Sequence, residues 1–305
     1  MLIALGAFAQ QQASFSQYFF NPMYINPAYA GSRGDFSGTM VYRTQWVDME
    51  GAPVTESVGM HGMIPNSNIG LGLQLYNDEL GPMRTTGISA IFAYHLRLGE
   101  ETRLAFGIEG CMENINVAYN QLTIESPSDP SFINNNSSAW VPDANAGLYL
   151  YKNKFFAGIS VKNLLQPKWG LQYQNGTGNA DFYRNYYFTS GFVSKLSDNI
   201  GIRPSILVNY VQAAPATIDL DASLIFYDKF YIGAGLRTDK RIGIDGMDNA
   251  LVLSMEYDIA NCLRFGYSYD FYLSRDGNYT NGTHEIMLGW DINSNKTKMV
   301  SPKYF

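Results

Sequence analysis

The side chains best able to do chemistry are few and scattered. Asp219 and Asp221 share one face of the period-two stretch TIDLDASL, and a facing pair of carboxylates is what acid–base hydrolysis or a metal site would use. Alternate residues of every strand share a face, however, so this spacing assigns no role, and no catalytic residue is named. His61, His95 and His284 fall in three separate stretches without a clustered Cys or carboxylate, so neither a metal site nor a cofactor is expected. Cys111 and Cys262 match no metal spacing and read as two small packed side chains. There is no G-x-S-x-G elbow and no glycine loop built to hold phosphate. The expectation is a protein that binds or anchors and is not an enzyme.

Composition narrows the partners. The 305 residues carry a net charge of -6 with 21 Lys+Arg, which leaves no basic footprint for nucleic acid. Only 16% of the chain is charged, against about 25% in an ordinary soluble domain. Tyr (22) and Phe (18) are abundant. No run of about 18 apolar residues occurs, so a helical span is excluded by length. The stretch LIALGAFA with the small-x-small pattern Ala7-Phe8-Ala9 reads as a secretory signal over residues 1–9, without a basic start.

The elements that must position any site are strands. In GTHEIMLGWDIN, Ile286, Leu288 and Trp290 point one way while Glu285, Met287, Gly289 and Asp291 point the other. The same alternation predicts strands near 35–46, 55–64, 68–77, 84–98, 102–113, 143–151, 155–163, 183–196, 200–211, 217–227, 230–238, 250–258, 262–273 and 283–292. Each is long enough to cross a bilayer when tilted, and connections after even-numbered strands are short while most others are long. The fold class is therefore all-β, a transmembrane outer-membrane β-barrel of about 14 antiparallel strands over residues 35–292, with both termini periplasmic and a tail at 293–305. A soluble sandwich or propeller would not keep charge off the outward faces or gather aromatics at strand ends. The inward phase carries His95, Arg97, Arg103, Glu109, Arg203, Asp219, Asp221, Arg237, Glu256, Arg264, Asp270 and Glu285, a mixed wall that either cross-links or lines an open pore. Glycine on the inward phase of IGLGLQL relieves crowding there.

Residues 10–34 do not fit this period. SFSQYFFNPMYINPAYAG, at 14–31, has no Lys, Arg, Asp or Glu, and its two Asn-Pro steps force a kinked path. Its aromatics must be buried somewhere. The motifs FSQY, NPAYAG, YRTQW at 42–46, GYSYD at 266–270 and HEIMLGW at 284–290 resemble those of the PorP/SprF family of Bacteroidota type IX secretion system membrane proteins. The resemblance implies an outer-membrane barrel that helps a secreted adhesin-like protein cross, or stay attached to, the outer membrane, including adhesins used in gliding, together with other type IX secretion components. It brings no catalytic residues. The matched positions Phe15, Ser16, Gln17, Tyr18, Asn26, Pro27, Ala28, Gly31, Arg43, Gln45 and Trp46 are candidates for a docking or plug element that closes the periplasmic mouth, anchored near Arg43 and Gln45. Trp140 and Trp169, in long stretches rich in Asn, Ser and Gly, are candidate outer-loop anchors for the partner. The competing reading is a channel or transporter for small solutes or apolar ligands. TDKRIGIDGMDN at 238–249 has carboxylates but not the ordered spacing of a calcium loop.

Overall fold

The computed structural model describes residues 14–34, 36–118, 137–173, 176–212, 214–239, 249–260, 262–273 and 280–292. Residues 1–9, read above as a secretory signal, the stretch 293–305 and most of the acidic stretch at 238–249 lie outside the described residues.

The period-two stretches become β1 (Phe36–Thr44), β2 (Val54–Met63), β3 (Ile69–Leu80), β4 (Met83–Arg97), β5 (Arg103–Val117), β6 (Ser137–Lys152) and β7 (Phe155–Lys162). A separate hairpin, β8 (Lys168–Tyr173) and β9 (Gly176–Asp181), follows. The wall resumes with β10 (Asn185–Phe192), continued by β11 (Ser194–Lys195), then β12 (Ile200–Val211), β13 (Thr217–Phe226), β14 (Phe230–Asp239), β15 (Ala250–Ala260), β16 (Leu263–Tyr272) and β17 (Thr283–Ile292). Sequential neighbours pair antiparallel, β10 bridges β7 and β12, and β1 pairs with β17 from Phe36↔Ile292 to Thr44↔His284, so no edge is left open. With β11 counted as part of β10, the wall has fourteen strands. No helix is long and apolar enough to cross a membrane.

The two faces follow the sequence phase. Outward stand Leu71, Leu73, Ile108, Leu220, Leu253 and Ile286, all exposed as a lipid-facing band requires. Inward stand Glu109, Arg203, Asp219, Arg237, Glu256, Arg264, Asp270 and Glu285, all buried. His95 is buried too, Arg103 and Asp221 are half-buried, and Arg97 is exposed at the end of β4.

Along β5 this pattern inverts. Up to Met112 the outward positions are apolar or glycine and the inward ones small or polar; beyond it Asn114 and Asn116 face out, while Ile115 and Val117 are buried inside with Val141 of β6, backed by Met83, Ala139 and Phe182. β3 changes in the same way, from Leu71, Leu73 and Leu75 to Asn77 and Glu79 on the outward face. A strand that leaves hydrocarbon for water must exchange which face is apolar, so the inversion marks the rim of the bilayer. The β3–β6 wall therefore stands above the membrane at the long-loop end. Trp140 sits opposite Asn114 at this level, 65% exposed, on the outward face of β6. It is part of a strand at the interface, not of a loop, and matches the placement of an aromatic girdle.

Candidate functional site

Residues 14–34 run inside the barrel. Asn21 and Asn26 each precede a proline, which fixes φ and starts a short helical turn: Pro22–Ile25 as α1 and Pro27–Tyr29 as one 3-10 turn. The Asn26 side chain caps the second by accepting the Ala28 N–H at 2.9 Å. Kinked in this way, the segment packs two buried clusters against the wall. Phe15, Tyr18, Phe19, Phe20, Tyr24 and Ile25 meet Val41, Tyr187, Leu207 and Met287, while Met23, Ala28, Tyr29 and Ala30 meet Ile91, Ala93, Ala105 and Tyr149.

The wall is cut to receive it. A Cβ on Gly107 would overlap the backbone of Ala28, one on Gly70 the carbonyl of Ala30, and one on Gly72 would lie 2.9 Å from Met23 Sδ. Gly70 and Gly72 are the glycines of IGLGLQL, so the crowding they relieve is the segment itself. Between segment and wall a void of about 10 Å³, bordered by Asn21, Met23, Arg33 and His61, has room for about one water.

Polar contacts fix the register. Glu285 accepts the peptide N–H groups of Ser16 and Gln17, both at 2.8 Å. Ser16 Oγ donates to Asp270 Oδ2 at 2.6 Å and accepts from Arg43 Nη1 at 2.7 Å. Arg43 in turn pairs with Asp270 at 2.8 Å and with Glu285 at 3.0 Å, all three side chains having no solvent exposure. Arg237 bridges Asp219 at 2.8 Å and Asp270 at 3.4 Å. Arg203 lies over the Phe19 ring at 4.4 Å and reaches Glu256 at 3.7 Å. Further along the segment, Lys162 donates to the Tyr24 carbonyl at 3.1 Å and Ser160 to that of Ile25 at 2.7 Å. His61 Nδ1 accepts the Gly31 N–H at 3.1 Å. His95 Nε2 lies 2.8 Å from the Ala30 carbonyl; because a carbonyl only accepts, Nε2 carries the proton and Nδ1 accepts from the Tyr151 hydroxyl, also at 2.8 Å. Arg33 closes the segment on Asp291 at 3.0 Å.

Of the expected anchors, Phe15, Ser16, Gln17, Tyr18, Asn26, Pro27, Ala28, Gly31 and Arg43 come together in this site. Gly31 has φ +85, a backbone that glycine adopts without strain. Gln45 and Trp46 do not join them. They lie past the end of β1, where Trp46 turns at φ +46 and donates its N–H to Thr283, and the chain leaves the lumen. The segment also reaches further than a cap on the periplasmic mouth. Arg43 is one residue from the long-loop end of β1, so Ser16 has to climb to that level, while Ala30–Gly34 sit at the short-turn end. Trp169 lies in β8, and its side chain is outside what the structure describes. Asp270, Glu285 and Arg237 are the anchors that spacing alone did not single out as such; a charge on the inward phase of a chain this poor in charge was the available signal. Both cysteines are free, and among the described residues no group of His, Cys, Asp and Glu has the arrangement of a metal site.

The family model described as type IX secretion system membrane protein PorP/SprF matches residues 7–290. A search of curated proteins finds no match. Among solved structures, the CymD monoaromatic hydrocarbon channel superposes with a TM-score of 0.53 at 11% identity, over 88% of this chain and 91% of that one. The Ralstonia pickettii toluene transporter TbuX gives 0.50 at 9% identity, over 88% and 92%. The P. putida toluene transporter TodX gives 0.50 at 10%, over 88% and 93%. At these identities the likeness is one of fold, an outer-membrane barrel.

Proposed function

Because the chain belongs to the type IX secretion system membrane protein family PorP/SprF and is an outer-membrane barrel, we propose that it assists the secretion or surface attachment of one adhesin-like partner, of the kind used in gliding, alongside other components of the secretion system. The observation that carries this reading is the segment inside the lumen. Packing of the segment from Phe15 to Arg33 against the inner wall favours work at the barrel's surfaces over passage of small solutes. The long-loop end offers the wider surface: the β3–β6 wall stands above the membrane there, and the β8–β9 hairpin adds to that end. Trp140 at the bilayer rim and Trp169 in the hairpin are the rigid aromatics that a partner would use as anchors.

Extraction of the protein from its native outer membrane in detergent, followed by pull-down and mass spectrometry, tests the reading. Recovery of one large surface protein together with secretion components is the expected result. A stable extract that yields the barrel alone, together with steady open currents in planar bilayers, would move the assignment to a channel for small solutes or apolar ligands.

A further inference from the structure

We propose that the lumen wall is a peptide-binding site that reads main chain, that residues 14–30 are its resident occupant, and that an uncharged, aromatic-bearing peptide with the same proline kinks, supplied in trans, can take their place. The inference takes from the proposed function only that the segment rests in the lumen.

Three observations carry it. The wall addresses the backbone of the segment along its length, beside its side chains: Glu285 takes two successive N–H groups, Arg237 reaches the Phe15 carbonyl at 3.4 Å, and Lys162, Ser160, His95 and His61 hold the peptide groups of Tyr24, Ile25, Ala30 and Gly31. Contacts to N–H and C=O are available to any chain that lies in the same path. The second observation is electrostatic. Residues 14–30 carry no charge, while the wall charges pair with one another, Arg43 with Asp270 and Glu285, Arg237 with Asp219, and Arg203 with Glu256. Departure of the segment therefore strips none of these paired ions of its counter-ion, and water can replace the charge-assisted hydrogen bonds that Glu285, Asp270, Arg237 and Lys162 make to it. A segment built in as permanent core would more usefully have carried one partner of each pair. The third is a hinge. Gly31 at φ +85 and Gly34 at φ +95 flank Arg33, whose pair with Asp291 tethers the segment at its base just before β1.

The test keeps folding out of question by letting the full chain assemble around its own segment. A protease site is inserted between Gly34 and Phe36, the folded barrel is cut in detergent, and a fluorescent peptide of residues 14–34 is added. We expect saturable uptake of the labelled peptide with release of the resident segment, no uptake by the uncut barrel, and at least tenfold weaker binding in Glu285→Gln, which loses an acceptor for the two N–H groups. A scrambled peptide of the same composition, which moves the two Asn-Pro kinks and so leaves the path, should not compete. Retention of the original segment with no uptake of label under excess peptide would overturn the proposal. So would equal competition by the scrambled peptide, which would reduce the site to apolar adhesion. Neither readout involves a partner protein, so failure here is separable from failure of the pull-down.

Discussion

Replacing Arg43 removes the ion that Asp270 and Glu285 share in a site closed to water. Losing one member of a buried network leaves a carboxylate desolvated and unpaired, which typically costs about 3–5 kcal/mol. Arg43→Ala should fall at the lower end, because Asp270 keeps Arg237 at 3.4 Å. The urea midpoint of the barrel refolded into lipid vesicles reports this. Lys152→Ala is the control: its pair with Glu101 is about half exposed on both sides, and such pairs are worth less than ~1 kcal/mol, so its midpoint should barely move. Arg43 was legible in the sequence, as a charged inward position inside YRTQW in a chain with little charge. Its pairing was not, because Asp270 and Glu285 come to it only when β17 closes on β1, a contact across some 240 residues. Gln45 and Trp46 belong to the same motif and yet part from the site, since one backbone turn at Trp46 redirects the chain and no side-chain pattern announces it.

At the level of the strand, phase decides the effect of a substitution. Leu253 faces out from the middle of β15, so Leu253→Arg puts a guanidinium into hydrocarbon and should cost about 2–4 kcal/mol. Asn114→Arg is also outward but lies above the inversion on β5, where water is the solvent, and its urea midpoint should match the parent within error. Equal losses at the two positions would remove the placement of the rim. All fourteen wall strands were readable from period-two alternation, and most ends agree within a few residues. The exceptions have a physical cause. β5 and β6 run on to Val117 and back to Ser137, where apolar residues turn inward and polar ones outward, so a search for one constant lipid face stops at the rim. The β8–β9 hairpin lies in a stretch that reads as loop because of its Gly, Asn and Gln content.

For the whole molecule, what matters is that one uncharged segment is held in a charged wall. The aromatics from Phe15 to Ile25 supply apolar burial, and Glu285 and Arg43 set its height in the lumen. Introducing a charge at the point of contact sets these two contributions against each other. Ser16→Asp places a third carboxylate beside Asp270 and Glu285, where Ser16 Oγ now lies 2.6 Å from Asp270, and like charges this close in a dry site cannot all stay ionised at tolerable cost. The first turns of the segment should leave the wall while its base stays tied through Arg33, and planar-bilayer recordings should change from silence to intermittent currents. Ser16→Ala loses only neutral and charge-assisted hydrogen bonds, about 1–3 kcal/mol, and should remain silent. If Ser16→Asp is also silent, with the barrel shown to be folded by its heat-dependent mobility, then apolar packing alone holds the segment, and the ion network serves the wall and not the segment.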